Sequence, residues 1–554
     1  MKQQLIEIIS RLFGVEAEPI VTRPESNFGD YTTNVALQLA GQIHEPPRSI
    51  AEKIAAELKA AGTFKEVLVA GPGFINVFEN DNAILANIGK APERFFEDQR
   101  IVFEYSCPNA FKELHTGHLY QTIYGDIAAR LMLLGGAILQ RTSFGGDVGL
   151  HVAKCLWGIT AYFGGEHPEK LDEVGNDAFV RSSWISARYV EGSRAYEEDE
   201  AAKNDIDNLN KKVYGFHAEN DHKSMLAQIY WITRQWSYDY FDAFYDLIKV
   251  EKMRYYAESE TAPIGLKVVN EQLKKGLLQE SNGAVVFMGD ESKHLHTRVF
   301  ITSKGLPTYE TKDIGVIWLE QQDYNFDHRF IITGNDQKEY MRVVFAAAQA
   351  FQPKLAGKMT HMTNGTVKFA NGQKMSSRLG NVTRALDVVS IVREKVKNLT
   401  NDPSIIEDLT LGAVKYAFAR YTLGNDIAFN IDETVSLTGN SGPYLQYAHA
   451  RARSILKKLD YNPTAPQTIY HEDRDLIRKL AEFTDIQSEA IRSLRPQIIC
   501  NYLFELAQEF NRYYEKNRVI GDDKEVHRAN LVSTYANTLR DGLGILGISA
   551  PNTM

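Results

Sequence analysis

The sequence predicts a multidomain protein of mixed α/β and α class, in which a doubly wound parallel-sheet domain with a helical insertion follows a small α+β unit and precedes an all-helical domain. Three observations lead there. Short β-rich runs, IVFEYS, AILQRT, RVFIT and RFIIT, alternate with helical sequence between residues 101 and 333, the texture of a parallel sheet covered by helices. A long charged block at about 160–280 interrupts the alternation. After about residue 381 apolar side chains recur at helical spacing, through GPYLQYAHARARSILKKL, DLIRKLAEF and YLFELAQEFNRYY.

Taken in order, residues 1–95 read as the α+β unit. A helix at 1–13 places Leu5, Ile8, Ile9 and Leu12 on one face, and the charges inside it argue against a signal peptide. A Gly-Asp turn at Asn27–Asp30 leads into helices over Thr32–Gly41 and Arg48–Ala61. A strand pair follows around Glu66–Val69 and Phe74–Phe78, punctuated by Gly71-Pro72-Gly73. Residues 96–380 form the Rossmann-like domain, whose insertion contains SRAYEEDEAAKNDIDNLNKK and the aromatic helical sequence Trp231–Tyr245. Residues 381–554 form the helical domain.

Composition narrows the function. With 554 residues, 44% of them hydrophobic, the chain can build several cores, and no run approaches the roughly 18 apolar residues of a membrane-spanning helix. Cys107, Cys155 and Cys500 lie far apart, so neither a disulfide framework nor a structural zinc site is expected, and a reducing cytoplasm is the expected compartment. A net charge of -9 argues against nonspecific nucleic-acid binding by the whole surface but leaves room for a local basic face.

Two loops carry the chemistry. The segment IVFEYSCPNAFKELHTGHLYQTIYGDIAARLMLLGG reads as strand, loop and helix, and the loop ends in His115-Thr116-Gly117-His118. Two imidazoles three apart at a helix N-terminus can reach one anion, aided by backbone N–H groups and the helix dipole, and Gly117 lets a flat base approach the backbone. The alternative is a pair of capping or surface histidines. A zinc site would need a third ligand, and none is nearby in sequence. Downstream, Lys374-Met375-Ser376-Ser377-Arg378 stands in a Gly/Asn-rich stretch before a helix, where cations could close over phosphates or could simply be solvated.

Together, in this order, HTGH and KMSSR resemble the HIGH and KMSKS signatures of class I aminoacyl-tRNA synthetases. The surrounding sequence resembles the arginyl family, whose pattern SxPNxxKxxHxGHLRxT meets Ser106-Cys107-Pro108-Asn109-Ala110-Phe111-Lys112-Glu113-Leu114-His115-Thr116-Gly117-His118-Leu119. FGGDVG at 144–149, TYETKDIG at 308–315, GNDQ at 334–337 and SGPYLQYAHARARS at 441–454 extend the resemblance over nearly the whole chain. It departs at Tyr120, where the family has Arg, and at Ser377, where the second signature lacks its second lysine. The resemblance assigns that missing charge to the family's lysine ahead of HxGH, Lys112 here.

The resemblance implies activation of L-arginine by ATP, with Mg²⁺ on the phosphates, and transfer of the arginyl group to tRNA(Arg). It implies a monomer with no membrane partner, in which residues 1–95 bind tRNA and 381–554 bind the anticodon. Positive charge is expected from Lys112, His115, His118, Lys374 and Arg378, and ATP contacts from His115, Gly117, His118, Met375 and Ser376. A substrate guanidinium calls for carboxylates, for which Glu104 and Asp313 are the candidates, and Ser106, Asn109, Tyr309 and Gln337 fall where the family contacts arginine. Without the family, Asp313 reads as a helix-N-terminal charge partnered by Lys312, and Tyr309 as a core aromatic. Tyr444, Tyr447 and Tyr514 match anticodon-stacking positions, and Phe74 and Asn76 match contacts to the tRNA elbow; packing in a helix bundle and burial in a strand are their alternatives. Two rival functions are another HxGH nucleotidyltransferase and a noncatalytic tRNA-binding paralogue.

Overall fold

The computed structural model describes residues 1–370 and 384–554. At the N-terminus a four-stranded antiparallel sheet, in the order Val21–Thr22, Tyr31–Thr33, Phe74–Glu79, Phe64–Ala70, is covered by the helices Lys2–Phe13, Val35–Ile43 and Pro47–Ala60. Leu5, Ile8 and Ile9 of the first helix meet Ile50, Ile54, Val67, Ile75 and Val77 in one core. The helix expected from Thr32 begins three residues later. Residues 31–33 are drawn into the sheet by pairing with Phe74–Glu79, and Thr33 Oγ1 then accepts the backbone N–H of Val35 at 3.2 Å.

The main sheet has five strands, ordered Met359–Asn364, His328–Gly334, Arg100–Glu104, Ile138–Gly145, Arg254–Ala257, and every neighbouring pair is parallel. In chain order this is 5-4-1-2-3. The direction of winding reverses between the first and fourth strands, and the crevice at their carboxyl ends is where a doubly wound sheet binds its ligand. Two expectations need correction here. RVFIT supplies the strand Arg298–Ile301, but it pairs antiparallel with Ala284–Phe287 in a separate three-stranded sheet. The chain also returns to the main sheet at Arg254, inside the stretch read as insertion, because a four-residue strand is too short to show a period.

Between the second and third strands run the long helices Ala178–Glu198, Glu200–Ala218 and Met225–Leu247. Their core joins Ile185, Val213, Phe216, Tyr230 and Trp236 to Phe111 and Val148 of the sheet domain. Behind the switch point the helices Glu258–Lys274 and Tyr309–Tyr324 cross at Gly265 and Gly315. A Cβ at Gly265 would lie 1.9 Å from the carbonyl oxygen of Thr311, so only glycine permits the close approach that fixes the register of Asp313. From Ala385 onward the chain is helical apart from the strand Ile427–Phe429, and this domain shares a continuous core with the helix Thr116–Leu134. Arg474 bridges to Asp30 and Asp81 at 2.8 Å each, and Arg23 reaches Asp485 at 2.6 Å, tying the first domain to the last.

Candidate active site

The HTGH tetrapeptide opens the helix Thr116–Leu134, with His115 as N-cap. His115 Nδ1 accepts the N–H groups of Gly117 at 3.0 Å and His118 at 3.3 Å, and His118 Nδ1 accepts the N–H of His115 at 3.2 Å, so the two imidazoles form a reciprocal capping box. The rings stack with centroids 3.7 Å apart. An Nδ1 that accepts a backbone N–H carries no proton, which leaves Nε2 as the donor on each ring. Capping and anion recognition are therefore two ends of the same side chains. Burial lowers both histidines, aided by Lys112 at His115 and by His115 and then Lys112 at His118, so both donate as neutral imidazoles near pH 7. A Cβ at Gly117 would come within 2.9 Å of His115 Cε1, so a side chain there would displace the cap.

The loop ahead of the tetrapeptide is held by the helical insertion. Phe111 N–H donates to Ser237 Oγ at 3.0 Å, Glu113 N–H to Ser186 Oγ at 3.0 Å, and Leu114 N–H to Tyr240 Oη at 3.2 Å. Lys112 Nζ lies 4.5 Å from the centroid of the Tyr189 ring, one turn along the helix from Ser186. Lys374, Met375, Ser376 and Arg378 lie outside the described residues. Arg384 pairs with His115 in an isolated β-bridge, Ala385 N–H donates to the Leu114 carbonyl at 2.8 Å, and Arg384 reaches Glu113 at 3.4 Å. Residues 384 and 385, which follow the second signature in sequence, thus sit directly against the first.

Candidate residues for a guanidinium gather at the switch point, with two surprises. Asp313 is buried near the start of the helix Tyr309–Tyr324, and its Oδ2 accepts the Tyr340 hydroxyl. Lys312 does not partner it, since that ammonium is paired with buried Glu258 at 2.6 Å. Burial pushes the Asp313 carboxyl up to about 7. Tyr309 is 68% exposed, which removes the core-aromatic alternative. Glu104, in contrast, is not an open carboxylate: it is 1% exposed and its Oε2 is taken by Arg329, which also binds Glu320 at 2.5 Å. Ser106 is likewise buried, and its Oγ is engaged by Tyr245 at 2.8 Å and Thr122 at 2.7 Å. Ser106 and Cys107 both have positive φ, 71° and 48°, so the chain turns sharply after the first strand. Asn109 is exposed and caps the next loop by accepting Gly146 N–H at 2.7 Å. Gln337 is exposed at the mouth of the helix Lys338–Phe351.

Sequence reading missed Arg329, Glu320, Tyr340 and Tyr189. Only Arg329 left a signal, a charge at the head of the apolar run RFIIT. Tyr120 is fully buried, stacks on Phe418 at 5.6 Å, and its hydroxyl has no partner among the described residues. Of the positions matched to tRNA contacts, Phe74 is 40% and Tyr447 45% exposed. Tyr444 is half-buried and accepts from Asn511 at 3.0 Å, and Tyr514 is half-buried beneath Arg451. Asn76 is buried in its strand, with Oδ1 accepting from Thr32 at 2.6 Å. Among the described residues no group of three or more His, Cys, Asp or Glu side chains is arranged to hold a metal ion, and no helix is long and apolar enough to cross a membrane.

A parallel sheet wound 5-4-1-2-3, with an HxGH helix start at its switch point and a helical domain behind it, is the architecture of a class I aminoacyl-tRNA synthetase. Residues 81–430 match the family model for the class I (R) tRNA synthetase catalytic domain, residues 1–78 the arginyl-tRNA synthetase N-terminal domain, and residues 445–554 the DALR anticodon binding domain. The chain belongs to the arginyl-tRNA synthetase family. It is 31% identical to the arginine–tRNA ligase of Frankia casuarinae, over 97% of this chain and 95% of that one. It is 28% identical to the arginine–tRNA ligase of a Synechococcus species, again over 97% and 95%. In fold it superposes on the Thermus thermophilus arginyl-tRNA synthetase with a TM-score of 0.81 at 22% identity, covering 100% of this chain and 99% of the other.

Proposed function

We propose that this chain joins L-arginine to tRNA(Arg) at the expense of ATP. The arginine carboxylate attacks the α-phosphorus of ATP, giving arginyl-adenylate and pyrophosphate, and a terminal ribose hydroxyl of the tRNA then takes the arginyl group and releases AMP. Neither step needs a side-chain nucleophile; each needs donors placed where negative charge develops. The observation that carries this reading is the reciprocal capping of His115 and His118, which commits each Nδ1 to the backbone and each Nε2 to donation. Lys112 supplies a full positive charge beside them, and Lys374 and Arg378, with ATP contacts from Gly117, Met375 and Ser376, complete the set. Mg²⁺ enters with the ATP phosphates.

Asp313 is the carboxylate proposed to meet the substrate guanidinium, with Tyr309 over the pocket and Asn109 and Gln337 at the α-amino end. Phe74, Tyr444, Tyr447 and Tyr514 are the aromatics proposed to contact tRNA, the first toward the elbow and the others toward the anticodon, through stacking. The enzyme is proposed to act as a cytoplasmic monomer. The test is charging of total tRNA with each of the twenty radiolabelled amino acids in the presence of ATP and Mg²⁺. Charging with arginine alone is expected; tRNA binding without charging would place the chain among noncatalytic paralogues. Adenylylation of another small acid without tRNA would make it a different nucleotidyltransferase.

A further inference from the structure

The floor of the switch point already contains a guanidinium. Arg329 stands in register with Val102 on the neighbouring parallel strand, and Val102 and Glu104 are two apart, so Arg329 and Glu104 project from the same face of the sheet. Arg329 is wholly buried. Its Nε donates to Glu320 Oε2 at 2.5 Å, its Nη2 donates to Glu104 Oε2, and its Nη1 is buried with no partner among the described residues. Glu320 is held from the other side by the Thr142 hydroxyl at 2.7 Å. Asp313 lies two turns before Glu320 on the same helix, and no hydrogen bond reaches its Oδ1 among the described residues.

Acids outnumber cations here. Three carboxyls, Glu104, Glu320 and Asp313, lie around one guanidinium, which is bonded to the first two and acts on the third through space. A fully matched salt bridge would need no ligand; this cluster has more acids than cations, and a group that completes it must fit between planar carboxyls. We propose that Arg329 is a positioning residue that determines amino-acid specificity: by gripping Glu104 and Glu320 it holds both fixed beneath Asp313, so that the pocket presents a rigid set of acids that outnumbers its one internal cation and to which the substrate's guanidinium is the complement. This rests on the arginine-ligase reading above and adds to it the residue that sets the charge of the pocket. A neutral ureido analogue such as citrulline has the shape but not the charge, and it is the ligand this arrangement excludes.

The groups facing Glu104 make the proposal testable through pH. They are Arg329 from its strand, Asp313 and Glu320 from the helix Tyr309–Tyr324, and the Cys107 thiol at 3.6 Å. Tyr340 caps Asp313, and His361, held low at about 4 by burial and then by Arg329, adds no charge near neutrality. Burial raises the Glu104 carboxyl, and Arg329 is the strongest influence pulling it back. With Arg329 in place the Glu104 carboxyl stands at about 8; without Arg329 it rises further, so its charge is recovered only in still more alkaline solution.

The experiment compares wild type, Glu320→Gln, Arg329→Lys and the double variant Arg329→Met/Glu320→Gln, which does not strand two buried acids. Each is checked by circular dichroism, then assayed for arginine KM and kcat in tRNA charging from pH 6.5 to 9 and for inhibition by citrulline. The double variant is expected to raise the arginine KM roughly tenfold or more at pH 7 with kcat within about threefold, and to lose arginine-over-citrulline preference by the same factor. That KM should fall as pH rises. Arg329→Lys keeps the charge without the fork and should lie between. A folded double variant with the KM and pH profile of Glu320→Gln would overturn the proposal. If the double variant does not fold, an Arg329→Lys enzyme with wild-type KM and preference would overturn it. Failure of the wild type to charge arginine reports on the ligase reading alone.

Discussion

Replacing His115 by asparagine separates the two jobs its imidazole does. The Nδ1 end accepts two backbone N–H groups, from Gly117 and His118, and asparagine is among the best residues for that position. The Nε2 end has no counterpart in asparagine. His115→Asn should therefore leave stability within about 0.5 kcal/mol of wild type while removing one preorganised donor from the developing phosphorane. Donors of that kind contribute about 3–4 kcal/mol, a fall in kcat of roughly 10²–10³. His115→Ala removes both ends and should lose roughly 1 kcal/mol of stability in addition. The assay is single-turnover charging of tRNA at saturating ATP and arginine, with urea unfolding of the same preparations. An Asn enzyme charging within threefold of wild type would show that His115 is a helix cap only, and the assignment of the site to HTGH would fail.

Four further outcomes follow from the same geometry. Tyr189→Phe keeps the ring under Lys112 and should charge within about threefold of wild type, whereas Tyr189→Leu removes an interaction of about 0.5–2 kcal/mol and should lower kcat roughly 3- to 30-fold; equal rates in rapid-quench measurements would show that Lys112 needs no such support. Asp313→Asn should raise the arginine KM roughly 30-fold or more, and the wild-type KM should fall as pH rises through about 7 while that of the variant stays flat. The same shift has a stability sign: a carboxyl raised from its ordinary value of about 4 contributes stability that is lost as pH rises from about 4 to about 7, so the wild-type-minus-Asn difference in Tm without arginine should shrink over that window. Tyr120→Phe removes a buried hydroxyl that lacks a partner and should raise stability by up to about 1 kcal/mol with kcat unchanged; a less stable Phe variant in urea unfolding would mean that the hydroxyl is bonded.

What could be read in the sequence depended on the range of the interactions involved. The order of strands and helices, the HTGH helix start and the helical C-terminal half are local patterns, and they appear as periodicity and punctuation. RVFIT shows the limit: its composition is that of a sheet strand, but which sheet it joins depends on Phe287 and Val286, which pair with it from another segment. Glu104 shows a different limit. Its place at the end of the first strand was legible, but its partner lies 225 residues away, and nothing local distinguishes an acid waiting for a ligand from one already paired. His115 reads as either cap or ligand because a sequence gives one letter to a side chain with two working ends.

The bracing of residues 111–114 means that the boundaries drawn by chain topology and by energy do not coincide. Traced along the chain, the helices between the second and third strands look like a removable decoration on a minimal nucleotide-binding sheet. Thermodynamically they belong to it, because Ser186, Ser237 and Tyr240 satisfy backbone donors that the sheet itself leaves open. A shortened chain could keep every strand and still lose the conformation that precedes HTGH. In this chain the smallest unit able to hold the catalytic loop is the sheet together with its insertion, and divergence between relatives should be constrained at those three contact points even where the rest of the insertion drifts.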